Sequence, residues 1–335
     1  PKLKQDGTLS KQGLTPEEYE QRKPTSCTRP FMRRKLQDFN LGSRKQIGEY
    51  LIEFGWKPKK FTPTGQAIVD ETTLFKIDKI PQARLIAEYL LYQKRIAQID
   101  SWVLSQQEDD RVHGFVIPNG TITGRMAHRN PNMAQVPSIK SPYGKECRSC
   151  WQVEDGYKLI GIDASGLELR MLAHYMNDEE FTNEIINGDI HTFNKGSRQD
   201  GKRLRQHFFD NKPSFKTLRD RVQQASRKNW LKGLDGRKLL IRTQHASLNT
   251  LLQGGGALVM KRALAMLDSL ICLNTLDAKF VANIHDEWQM EVREDLVDNV
   301  GQLAVECIIK AGEYYNLRCP MDGEYKVGDN WSETH

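Results

Sequence analysis

Cysteine is scarce. Six occur in 335 residues, Cys27, Cys147, Cys150, Cys272, Cys307 and Cys319, and their spacing forms no regular framework. A disulfide-stapled secreted domain is therefore excluded, and a reducing compartment is expected. Cys147-Arg148-Ser149-Cys150 is a C-x-x-C, but a zinc site needs a second pair, and Cys307 and Cys319 are wrongly spaced. No apolar run reaches the ~18–20 residues that span a bilayer, so no membrane partner is expected. There is no signal-peptide core and no initiator Met: the chain opens Pro1-Lys2-Leu3-Lys4. The expectation is a cytoplasmic chain that begins inside a longer protein. Repeats and low-complexity tracts are absent too. With 38% hydrophobic and 27% charged residues, wholesale disorder is excluded. The length calls for two or three packed subdomains rather than one small core.

The net charge of +6 is unevenly spread. Residues 195–242 hold 15 Lys or Arg against four Asp, giving +11 and leaving −5 for the rest. A basic block beside an acidic remainder suits a polyanion-binding surface, although a solvated helical face has the same composition. Residues 1–45 read as an irregular lead-in. Ser43 caps an expected helix through Gly55 with Ile47, Tyr50, Leu51 and Phe54 as its apolar face. Residues 56–80 read as connector. Over residues 81–104, Leu85, Tyr89, Tyr92, Ile96, Ile99 and Val103 recur at 4-3-4-3-4 spacing, which predicts a long helix packing through that stripe. Residues 113–118 predict a short strand entering an Asn119-Gly120 turn.

Two places carry chemistry. Residues 158–162 form a β-like run that ends on Asp163, just before a helical pattern through Met176. A carboxylate there sits at a sheet rim, open to a ligand. The same residues also fit a helix cap, since Ser165-x-x-Glu168 is a capping box. Residues 280–284 and 288–292 alternate as strands, with His285-Asp286-Glu287 between them. This predicts a tight hairpin with two carboxylates at its tip, which repel unless a cation compensates. Two strand ends that each offer an Asp suit a pair of divalent ions, and hard oxygen donors select Mg2+. Metals ~3.5–4 Å apart are suited to in-line phosphoryl transfer.

At this point a resemblance becomes specific. Asp163-Ala164-Ser165-Gly166-Leu167-Glu168-Leu169-Arg170 resembles motif A of the family A DNA polymerases, the polymerase I family, and His285-Asp286-Glu287 resembles their motif C. Thr123-Gly124-Arg125 with Pro131-Asn132-Met133-Ala134-Gln135-Val136-Pro137 resembles the block before their palm. Asn187-Gly188-Asp189-Ile190-His191-Thr192 resembles the opening of their fingers. Gly233-Leu234-Asp235-Gly236-Arg237 and Leu248-Asn249-Thr250-Leu251-Leu252-Gln253 match as well. The likeness runs in order over residues 40–335 and is strongest to the T-seven-like phage replicative members. It implies an α+β right-hand polymerase: thumb and lead-in over residues 1–112, palm around an antiparallel sheet over 113–190 and 238–335, and incomplete fingers over 191–237. It implies a template-directed enzyme adding dNTPs to a primer 3′ end by two-metal phosphoryl transfer, in phage replication within a bacterial cytoplasm. Asp163, Asp286 and Glu287 would be catalytic, and Asp163, the Ala164 carbonyl and Asp286 would bind two Mg2+. Glu168 would crowd a ribose 2′-hydroxyl, and His191 would contact the triphosphate. Arg125, Asn132, Gln135, Asn249, Gln253 and His285 would meet the primer-template DNA. The resemblance also implies a processivity factor, thioredoxin-type or other, with no docking loop identified.

One family block is missing. After His191-Thr192-Phe193-Asn194, the fingers helix with Arg, Lys and Tyr at R-x3-K-x3-Y spacing is expected. Instead Lys195-Gly196-Ser197-Arg198 runs straight into Asp200-Gly201-Lys202-Arg203-Leu204. A few tens of residues are gone, with the join at about 194–196. Either the segment belongs to the protein and was skipped because it is disordered, or it is deleted, which would leave a chain that binds DNA without copying it. A single-subunit RNA polymerase shares the two-aspartate palm, but Glu168 and the DNA-polymerase blocks argue against it.

Overall fold

The computed structural model describes residues 15–18, 38–188 and 212–334. The expected lead-in therefore lies mostly outside the described residues. The chain divides into two units, Pro1–Ile96 and Ala97–His335.

In the first unit the helix Arg44–Glu53 starts where the Ser43 side chain accepts from the Gln46 N–H, as the sequence predicts. A short helix, Glu71–Leu74, is capped by Asp70, whose carboxylate accepts from the Thr73 N–H at 2.7 Å. That hydrogen bond holds the Asp70 carboxyl below its ordinary value. The helix Pro81–Val103 forms as expected, but its buried side does not. Leu85 is 66% exposed, and Tyr92 and Ile96 are exposed as well. The residues that pack with Ile47, Leu51, Val69 and Leu74 are Ala83, Ile86, Ala87 and Leu90. Two alanines at that seam let the helix sit close to its neighbours, an advantage that a count of large apolar residues overlooks.

The second unit is built on a four-stranded sheet in the order Ala278–Ile284, Glu287–Arg293, Tyr157–Ala164, Gly323–Gly328. Its strands are β3 (Tyr157–Ala164), β6 (Ala278–Ile284), β7 (Glu287–Arg293) and β8 (Gly323–Gly328), and every pairing is antiparallel. Ile160, Ile162 and Ala164 of β3 share a core with Trp288, Met290 and Val292 of β7. That face is covered by the helices Leu167–Met176, Ser247–Leu273 and Val297–Tyr314. Gly254-Gly255-Gly256 in the 27-residue helix Ser247–Leu273 permit close approach: a Cβ at Gly255 would strike Met171 Cε, and one at Gly256 would meet Leu167 Cδ2 at 3.0 Å. Two small ribbons complete the unit, β1 (Phe115–Ile117) with β2 (Ala127–Arg129) and β4 (Trp230–Lys232) with β5 (Lys238–Leu240). The architecture is α+β with antiparallel sheets. Among the described residues no helix is long and apolar enough to cross a membrane.

Candidate active site

Antiparallel pairing brings the two sequence-distant aspartates to one rim. Asp163 near the end of β3 stands opposite Glu287 at the start of β7. The Ala164 N–H donates to the Asp286 carbonyl at 3.2 Å. Asp286 therefore flanks Asp163 although more than a hundred residues separate them in sequence.

The turn between β6 and β7 is His285–Asp286, with His285 at φ +62°. Glu287 is not at the tip as the sequence suggested. It is the first residue of β7 and only 6% exposed. Its Oε1 accepts from Trp331 Nε1 at 2.8 Å and from Gln289 Nε2 at 2.6 Å, with Arg148 Nη1 at 3.9 Å. These partners relieve the carboxylate crowding that an Asp-Glu tip would have created.

On the other side of Asp163 the chain turns through Gly166, at φ +60°, into the helix Leu167–Met176. The capping box that Ser165 and Glu168 also fit in sequence does not form. Gly166 is the N-cap and no side chain caps the helix. The Ser165 N–H donates to the Asp322 carbonyl at 3.0 Å, and Glu168 instead pairs with Arg125 Nη2 at 3.2 Å. Arg170 pins this turn: its Nε donates to the Ser165 carbonyl at 2.8 Å and its Nη1 to the Pro320 carbonyl at 2.5 Å. No role was assigned to Arg170 from sequence, although an Arg on the buried side of an apolar helix was a signal.

Arg125, Glu168, His285 and Asp286 form one electrostatic neighbourhood. Burial pushes the His285 imidazole below its ordinary value. Arg125 pushes the same way, Asp286 opposes it, and His128 and Glu168 add smaller effects of opposite sign. The Ser247–Leu273 helix borders this neighbourhood, since a Cβ at Gly254 would lie 3.6 Å from the Thr123 carbonyl. Asn249 is exposed and Gln253 half-buried on that helix, four residues apart and so on one face. Asn132 precedes the short turn Met133–Gln135, and the Gln135 carbonyl accepts from Gln98 Nε2 at 3.0 Å. His191, the join at 194–196 and residues 195–211 of the basic block lie outside the described residues.

The remainder of the basic block is only partly free of internal pairing. Lys212 Nζ pairs with Glu180 and Glu184, and Arg237 with Asp235. Around Trp230 of the β4–β5 ribbon, Lys228 Nζ from the preceding turn lies 3.7 Å and Lys238 Nζ 4.9 Å from the ring centroid.

The donors at the rim, two carboxylates and the Ala164 carbonyl, are hard oxygens and fit a small divalent cation. Among the described residues no group of three or more His, Cys, Asp or Glu gathers as a metal site. The C-x-x-C is not one either: Cys147 is buried in an apolar cluster with Trp102, Val136, Leu159 and Trp331, while Cys150 is exposed and donates to the Glu146 carbonyl.

The family described as DNA polymerase family A matches residues 17–197 and 194–333 of this chain. The two stretches meet where the sequence reading placed the missing block. Over 371 aligned positions the chain is 37% identical to the DNA-directed DNA polymerase of Enterobacteria phage T3, covering 89% of this chain and 53% of that protein. The corresponding protein of Escherichia phage T7 is 36% identical over the same shares. The alignments are longer than the part of this chain they cover, so both relatives carry residues with no counterpart here. DNA polymerase I of Pseudomonas aeruginosa is 25% identical over 89% of this chain and 39% of its own length. Among solved structures, the POL domain of Pol1 from M. smegmatis, in complex with DNA primer-template and dNTP, matches with a TM-score of 0.72 at 23% identity, covering 88% of this chain and 62% of that one. This last likeness concerns the fold alone. The chain spans about half the length of the phage proteins.

Proposed function

This chain belongs to DNA polymerase family A, and from that premise we propose that it is the polymerising part of a template-directed DNA polymerase, adding dNTPs to a primer 3′ end. One observation carries the reading: the β3–β7 register sets Asp163 against the β6–β7 turn, with the Ala164 N–H on the Asp286 carbonyl at 3.2 Å. Asp163, Asp286 and the Ala164 carbonyl would hold two Mg2+. Bound there, such ions would lower the pKa of the attacking 3′-hydroxyl and neutralise charge on the departing pyrophosphate.

The chain's own residues do the rest. Arg125 holds Glu168 beside the rim, where the carboxylate crowds a ribose 2′-hydroxyl. His191 contacts the triphosphate. Arg125, Asn132, Gln135, Asn249, Gln253 and His285 bind the primer-template end, where minor-groove acceptors shared by all base pairs reward correct shape without reading sequence. The basic β4–β5 ribbon touches the phosphate backbone. Residues 1–112 serve as thumb, 113–190 and 238–335 as palm and 191–237 as fingers, in a phage enzyme working in a bacterial cytoplasm with an accessory processivity factor.

Primer extension with Mg2+ and four dNTPs tests this. The unaltered protein should extend. Asp286→Asn should lower the rate by ~10^3-fold, the equivalent of several kcal/mol, while duplex affinity stays nearly intact. Equal extension by the variant would sink the assignment. Duplex binding without extension by the unaltered protein would favour a chain that holds DNA and does not copy it.

A further inference from the structure

Glu287, Gln289 and Glu291 alternate along β7 with the core residues Trp288, Met290 and Val292. They lie on the opposite face, yet Gln289 and Glu291 are each only 2% exposed and Glu287 is almost as deeply closed. Burying three such groups is costly unless each is satisfied. Partners come from distant parts of the unit. Trp331 Nε1 and Gln289 Nε2 donate to Glu287. Thr334 Oγ1 donates to Gln289 Oε1 at 2.8 Å. Arg111 binds Glu291 at 3.1 Å and Glu154 at 2.6 Å. Gly161 of β3 leaves the room needed: any Cβ there would collide with the Thr334 carbonyl and crowd Gln289 Nε2.

Arg148 completes the arrangement. It is buried with its guanidinium carbon 4.3 Å from the Trp331 ring centroid, and its Nε donates to the Pro137 carbonyl at 3.0 Å. Its Nη1 makes no hydrogen bond among the described residues and lies 3.9 Å from Glu287 Oε1. A buried carboxylate and a buried guanidinium so placed neutralise each other, and removing either leaves an uncompensated charge. The residue they hold is the neighbour of Asp286. The hairpin that presents Asp286 includes β6, the edge strand of the sheet, and β6 is bulged between Phe280 and Ala282. β6 is held from one side only while β7 is locked into the β3 ladder, so the turn that carries Asp286 is fixed chiefly through Glu287.

We propose that Arg148 and Trp331 are positioning residues that act through Glu287, clamping the first residue of β7 so that the Asp286 carboxylate stays aligned with Asp163 for divalent-cation binding. The clamp rests on the two-aspartate reading given above. Glu287 is then a strut, not a metal ligand.

Trp331→Phe is the informative change, because it keeps an aromatic ring under Arg148 and removes the N–H on Glu287, at the cost of some buried volume. Mn2+ binding, followed by electron paramagnetic resonance on the protein alone, reads the site without any turnover. Roughly tenfold weaker Mn2+ binding is expected, the usual scale for losing a group that orients a ligand. The Mg2+ midpoint of primer extension should rise in parallel, with the KM for dNTP and the primer-template Kd unchanged. Thr334→Val, which loses one hydroxyl and little volume, should shift Mn2+ affinity the same way by less, and it decides the matter if Trp331→Phe does not fold. Mn2+ affinity equal to the unaltered protein in the folded variants would overturn the clamp. Absence of Mn2+ binding by the unaltered protein would overturn both the clamp and the metal reading. If the unaltered protein binds Mn2+ but extends no primer, and Trp331→Phe still weakens that binding, the clamp stands and the polymerase reading falls.

Discussion

At the scale of single residues, Glu168 is the position where two chemistries compete. A capping role needs its side chain at the helix start, but it is engaged with Arg125, which keeps it beside the aspartate rim. Glu168→Ala should therefore cost little stability, since no cap is lost. If the carboxylate crowds a 2′-hydroxyl, the variant should incorporate ribonucleotides roughly one to two orders of magnitude more readily, the scale that one substrate contact supplies. Competition between dNTP and rNTP on one template measures this. Unchanged discrimination would leave Glu168 with only the Arg125 pair. Asp163 and Asp286 were visible in the sequence because each stands where an apolar strand stops. Arg148, Trp331 and Thr334 were not, because their roles depend on partners far away in sequence. The Glu-Gln-Glu alternation of β7 was a legible hint that its second face is polar yet closed.

At the scale of elements, periodicity predicts three helices and four of the eight described strands, with strand ends within two residues of those observed, but it does not single out the helices Ser247–Leu273 and Val297–Tyr314 or the strand Gly323–Gly328. What periodicity could not supply was the buried side of the helix Pro81–Val103. Leu85, Tyr92 and Ile96 face outward while Ala83, Ile86, Ala87 and Leu90 face inward, and the two alanines let the backbones approach closely. The same physics acts at the glycine triplet of the helix Ser247–Leu273. Gly255→Val would drive a side chain into Met171 and force apart the helix that follows Asp163. The expected loss is about 1–3 kcal/mol of stability, the range for overfilling a packed core. Urea unfolding would measure it, and a companion Met171→Ala change should recover part of it. No recovery would mean the strain lies in the backbone rather than at that contact.

At the scale of the whole molecule, three histidines share one tendency. Burial is the largest influence on His128, His174 and His285, and it lowers each below its ordinary value. In the unfolded chain these groups take up protons near pH ~6.5, while in the native state they resist doing so. The unfolded state then binds more protons, so stability is present above that pH and declines as pH falls below it. Thermal unfolding across this range should show a falling Tm on acidification. His174→Gln, at a site away from the aspartate rim, should make the decline shallower; identical slopes would remove His174 from the account.

The helix Glu179–Asn187 and the helix Pro213–Ala225 also meet closely. Lys212 Nζ lies 2.9 Å from Glu180 and 3.4 Å from Glu184, and Ser214 Oγ donates to Asp178 at 2.5 Å. The chain that departs after Gly188 thus returns beside the helix it has just left. The two anchored ends close the covalent chain on a fixed base, and in general doubling the number of residues between two such ends costs only ~0.6 kcal/mol in closure entropy. Because Lys212 and Ser214 tie the two ends together, evolution, or an engineer, can change the number of residues between them while the sheet and its aspartates keep their place.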